Sequence, residues 1–76
     1  MNLKVGGTSS CVNELLVDPI KGTASVHFKD GYHYNYTNVS RFAIVNLLQD
    51  QAQSIGRWVN KNLKSKKVNY ELVDFS

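Results

Sequence analysis

Apolar and polar positions alternate along two stretches in the first half of the chain, "TASVHF" (23–28) and "YHYNYTNV" (32–39), and "CVNELLVD" (11–18) before them has strand character. Successive side chains on a strand point to opposite faces, so each stretch predicts a half-buried β-strand. Turn chemistry joins them. In "DPIKG" Pro19 presets its own backbone angle and Gly22 permits unusual ones, and "KDG" closes a hairpin. Beyond Ser40 the period becomes helical. Ser40 can cap a helix through "RFAIVNLLQDQA", where Phe42, Ile44, Val45, Leu47, Leu48 and Ala52 give a broad apolar surface. Ser54 can cap a second, "IGRWVNKNLK", whose Ile55, Trp58, Val59 and Leu63 recur at helical spacing while Gly56 lets another backbone come close. The final "VNYELVD" sets Val68, Tyr70 and Leu72 against Asn69 and Glu71 and predicts an edge-like strand. The order β-β-β-α-α-β implies an α+β fold: a small antiparallel sheet, a three-stranded meander plus a C-terminal strand, with two helices packed on one face. Residues 1–8 read as a flexible leader to a single domain over 1–76.

The length of the "KDG" turn decides where the tyrosines face. A two-residue turn at Asp30-Gly31 sets Phe28 opposite His33 and Val26 opposite Asn35, mixing apolar with polar on both faces. A three-residue loop, with Gly31 left-handed in a bulge, sets Phe28 opposite Tyr32, Val26 opposite Tyr34 and Ala24 opposite Tyr36. One face then becomes uniformly apolar and aromatic. A one-residue slip would forfeit a whole face of burial, so the glycine-bulge register is the expected one. It also makes His27 and His33 direct neighbours on the polar face.

Size and charge narrow the picture further. Seventy-six residues make one domain, burying roughly 60% of the unfolded surface and leaving little room for a deep pocket. With 42% apolar and 20% charged residues the chain is not a disordered one. Its apolar runs fall far short of the ~20 residues of a membrane span. The N-terminus lacks the apolar stretch of a signal peptide, and a lone Cys11 fits a reducing compartment, so a cytoplasmic protein is expected. The net charge of +3 is unevenly spread: "RWVNKNLKSKK" (57–67) carries five basic and no acidic side chains, the remainder four basic and six acidic. Arg57, Lys61 and Lys64 share a helical face, and Lys66 and Lys67 extend the patch into the following loop.

Two motifs have a family likeness. Tyr34-Asn35-Tyr36 is a "YxY" pair followed by a short turn and Val39, and Ser54 to Leu63 form a "SxGxWVNxxL" stretch. Together they resemble the KTSC domain, a small bacterial and phage module also found at the C-terminus of some lysyl-tRNA synthetases. The likeness covers roughly Ser9 to Tyr70. It departs from the family at Ser40, where proline is usual, and at Trp58-Val59, where an aromatic pair is usual. The resemblance implies the fold derived above, with Tyr34, Tyr36, Ser54, Gly56 and Trp58 as motif and core residues, and it suggests RNA binding.

The candidate chemistry is that of a binding module. Arg57, Lys61, Lys64, Lys66 and Lys67 form a set suited to phosphates, to which Asn60 and His33 add polar contacts; the plainer reading is a solvated helix face. The tyrosine stripe reads as core packing with hydroxyls at its rim, and alternatively as a base-stacking surface. Trp58 reads as core. His27 and His33 lack a third ligand placed by the sequence, so no metal is expected, nor any cofactor. No nucleophile elbow, phosphate-cradling loop or paired carboxylates point to an enzyme. Two functions remain. One is binding RNA or other nucleic acid. The other is a protein-interaction module, phage-encoded and acting on a host protein, which uses the last strand and the polar sheet face carrying Val12 and Leu16. Homodimerisation could use the same edge.

Overall fold

A computed structural model describes residues 2–6, 10–50 and 54–75. Its elements are β1 (Leu3–Lys4), β2 (Val12–Asp18), β3 (Thr23–Phe28), β4 (Tyr32–Thr37), α1 (Arg41–Gln49), α2 (Ile55–Asn62) and β5 (Asn69–Phe75). The strands form one antiparallel sheet in the order β1-β2-β3-β4-β5, and the class is α+β as expected. The hairpin register is the glycine-bulge one. Gly31 has φ +101°, its N–H donates to the Phe28 carbonyl at 3.1 Å, and the facing pairs are Ala24–Tyr36, Val26–Tyr34 and His27–His33.

Two features of the N-terminal half differ from expectation. Residues 2–6, assigned above to a flexible leader, include an extra edge strand. Leu3 pairs with Val17 and Lys4 with Leu16, while Val5 is buried and donates its N–H to the Leu15 carbonyl at 2.9 Å. Leu3 and Val5 supply enough apolar surface to hold so short a strand against the core. The rest of the leader, residues 1 and 7–8, and Ala52 of the expected first helix lie outside the described residues. The second difference is a bulge in β2 between Val12 and Glu14. One extra residue inverts the alternation. Val12 therefore joins Leu15 and Val17 in the core, and only Leu16 stays on the polar face where both had been expected.

The β2–β3 turn is built on Asp18. Its carboxylate Oδ1 accepts the N–H of Ile20 at 2.9 Å and of Lys21 at 3.0 Å, so this buried acid is satisfied by backbone donors. Gly22 follows with φ +69°, where an added Cβ would stand 3.0 Å from the Val39 carbonyl oxygen. The same close approach lets the Gly22 carbonyl accept the Val39 N–H at 2.9 Å. Arg41 completes the junction, its Nε donating to the Ile20 carbonyl at 2.9 Å. The turn is thus fastened to the entrance of α1.

Both helices begin at the expected serines. Ser40 Oγ accepts the Ala43 N–H and Ser54 Oγ the Arg57 N–H, each at 3.3 Å. The apolar surface of α1 is narrower than expected, because Ile44 and Leu47 are buried while Phe42 is 85% exposed and Val45 also faces solvent. At ~100° per residue, Phe42 and Val45 fall outside the stripe that Ile44 and Leu47 define. On α2, Ile55, Trp58 and Val59 are buried, and Leu63 at its C-cap joins them. The Trp58 indole N–H donates to the Ala43 carbonyl at 3.0 Å and locks the two helices together.

Coverage of the sheet is uneven. Val17, Ala24, Tyr36 and Tyr70 form one row of cross-strand partners on the helix-bearing face. The first three are buried, whereas Tyr70 is 71% exposed. The next row, Leu15, Val26, Tyr34 and Leu72, likewise ends in a residue 49% exposed. The helices roof the sheet as far as β4 and leave β5 bare.

Candidate nucleic-acid interface

An open groove of about 930 Å³ follows this bare margin, lined by tyrosines of β4 and β5 and by the loop that leaves α2. Period-2 alternation puts Tyr32, Tyr34 and Tyr36 on one side of β4, and pairing brings Tyr70 of β5 opposite Tyr36. Tyr34 is the centre of the set. Its ring centroid lies 6.1 Å from that of Tyr32 in a stacked arrangement, 6.2 Å from Tyr36 in a tilted one and 5.9 Å from Tyr70 edge-on, the spacings of aromatic packing. The four rings are therefore partly core and partly surface. Tyr36 is buried, Tyr34 half-buried, and Tyr32 and Tyr70 exposed. Burial pushes the Tyr36 phenol above its usual range, and its neighbours Tyr34 and Tyr70 add to the effect.

The loop side of the groove carries Lys64 and Lys66. Its backbone is held in place rather than trailing. The Asn38 side-chain amide donates to the Lys67 carbonyl at 2.8 Å, and the Val68 N–H donates to the Ser65 carbonyl at 3.1 Å. Arg57, Asn60 and Lys61 of α2 are exposed, as are Lys64, Lys66 and Lys67. Among the described residues an ion pair joins Lys4 to Glu14 at 3.6 Å, and none holds a cation of residues 57–67. Asp30, at the hairpin tip, also lines the groove, with its carboxylate accepting the Tyr32 N–H at 3.2 Å.

His33 does not belong to this surface. It is next to Tyr34 on a strand, so its ring points to the opposite face of the sheet. There its Nε2 lies 2.6 Å from Ser25 Oγ, and its ring centroid is 3.7 Å from that of His27. The basic set and Asn60 thus share one helix and its loop, and His33 is separated from them by the sheet. Tyr32, part of the tyrosine stripe with an alternative base-stacking reading, and Tyr70, read only as part of the last strand, both belong to the groove. The available signal was their strand parity, which they share with Tyr34 and Leu72 respectively.

No family model matches the sequence, and no curated protein matches it. A solved structure does: a KTSC domain protein from Yersinia pestis, with a TM-score of 0.72 and 19% identity, over 97% of this chain and 100% of that one. The fold is that of a KTSC domain. In this KTSC-like fold the motif residues fill structural posts. Ser54 caps α2, Gly56 sits half-buried in its first turn, Trp58 ties the helices, and Tyr34 and Tyr36 pack between sheet and groove. Ser40, where proline is usual in the family, caps α1 instead. Among the described residues no helix is long and apolar enough to cross a membrane.

Proposed function

We propose that this protein is a small non-enzymatic module that binds nucleic acid, RNA first among its forms, through the basic stripe of α2 and the loop after it. The supporting observation is the set of five cations, Arg57, Lys61, Lys64, Lys66 and Lys67, exposed on one helix and its loop without carboxylate partners among the described residues. Each phosphate they neutralise releases condensed counterions, which is the main source of affinity in such complexes. Asn60 adds an amide for a sugar or base edge. The reading needs no catalytic residue, metal or cofactor, and it places the protein in the cytoplasm, that of a bacterial host if the chain is phage-encoded. Anisotropy of a labelled RNA titrated at ~50 mM salt tests it, because phosphate contacts count most at low salt. Binding that Lys61→Glu with Lys64→Glu abolishes is expected; no detectable binding would end the proposal.

A second reading, a protein-interaction module, is favoured by β5. This strand forms an edge of the sheet and exposes Tyr70, Leu72 and Val73. A partner strand, or a second copy of the chain, could extend the sheet there. Recovery of a partner from bacterial lysate that survives nuclease treatment would favour it over the first.

A further inference from the structure

We infer that the nucleic acid is single-stranded and that the tyrosine groove takes its bases, an inference that rests on the reading just given. Binding of single strands without sequence preference combines a cationic track for the backbone with aromatic rings on which bases stack. The groove joins those two components. Lys64 and Lys66 line it together with Tyr32, Tyr34, Tyr36 and Tyr70. A cation bound for a phosphate therefore stands beside rings available to the attached base.

The rings are unevenly committed to the core, and that division suits the task. Tyr36 is anchored by burial, and Tyr34 is held by edge contact with Phe28, their centroids 6.0 Å apart at 79°. Tyr70, 71% exposed, and Tyr32, 37% exposed, keep ring surface open to solvent on either side of Tyr34. The fully buried core lies on the other strands of this face, at Leu15 and Val17 of β2 and Val26 of β3. A duplex hides its base faces inside its own stack and would leave these rings unused. A single strand presents them. Asp30, at the hairpin end, disfavours phosphate there and directs the backbone toward the lysine-bearing loop.

The test compares a uridine decamer with an abasic decamer of equal charge on the intact protein, and then on Tyr70→Ala and Tyr32→Ala. Both substitutions alter exposed side chains, and the abasic comparison needs no variant at all. The expected result is about tenfold tighter binding of the uridine decamer, a gap that shrinks in both variants. Equal affinity for the two decamers would overturn the inference while leaving phosphate binding by α2 in place. Failure of both decamers, and of a duplex of the same length, to bind would overturn both readings. Preference for a duplex of the same length over the uridine decamer would also overturn the inference.

Discussion

The side-chain amide of Asn38 reaches the backbone carbonyl of Lys67 across 2.8 Å, linking the end of β4 to the loop that carries Lys64 and Lys66. Asn38 also has φ +59°, a left-handed conformation that asparagine tolerates better than most residues. The two roles separate by substitution. Asn38→Ala loses both and should cost about 2 kcal/mol in urea denaturation, whereas Asn38→Gly keeps the backbone geometry and should cost about 1 kcal/mol. Both should weaken oligonucleotide binding, because both release the lysine-bearing loop.

Gly22 offers a stricter test of how the β2–β3 turn meets α1. Its φ is +69°, which strains any side chain, and a methyl group added there would stand only 3.0 Å from the Val39 oxygen, which would have to give way. Gly22→Ala should destabilise the protein by about 1–2 kcal/mol or more. An unchanged melting temperature would show that the turn is not docked as described.

Trp58 is expected to dominate the helix pair. Trp58→Phe removes the donor to the Ala43 carbonyl, for about 1–2 kcal/mol, and Trp58→Ala opens a cavity worth about 3–5 kcal/mol. Circular dichroism during chemical denaturation measures both, since the fluorescent indole is lost.

Tyr36 gives the fold an alkaline limit. Its phenol titrates above its usual value when folded, because burial opposes the charged form. Its contribution is fully present below the unfolded value of about 10 and is lost as pH rises through the higher folded value. Melting temperatures at pH 8 and above pH 10 should therefore diverge in the wild type, and Tyr36→Phe should reduce the divergence.

The sequence made the hairpin register legible because one glycine decides it: with Gly31 left-handed, every cross-strand pair from Ala24–Tyr36 to His27–His33 follows. The serine caps were legible for the same local reason. What escaped depends on longer-range geometry. Val12 sits on the core face because a bulge, without a glycine to announce it, shifts β2 by one residue. Phe42 resembles core by apolar content alone, which does not say how wide a stripe two helices need. The groove itself could not be read from alternation, which fixes the side of the sheet on which Tyr70 lies but not whether a helix reaches over it.

Salt dependence tests the central claim, phosphate binding by residues 57–67, most directly. The logarithm of the affinity for a uridine oligonucleotide is plotted against the logarithm of salt concentration, for the wild type and for Lys64→Ala with Lys66→Ala. Single strands give a slope of about −0.7 per neutralised phosphate. The wild type should therefore show a slope steeper than about −2, and the double variant one shallower by roughly 1.4. A wild-type slope near zero, or one that removal of both lysines leaves unchanged, would contradict the account.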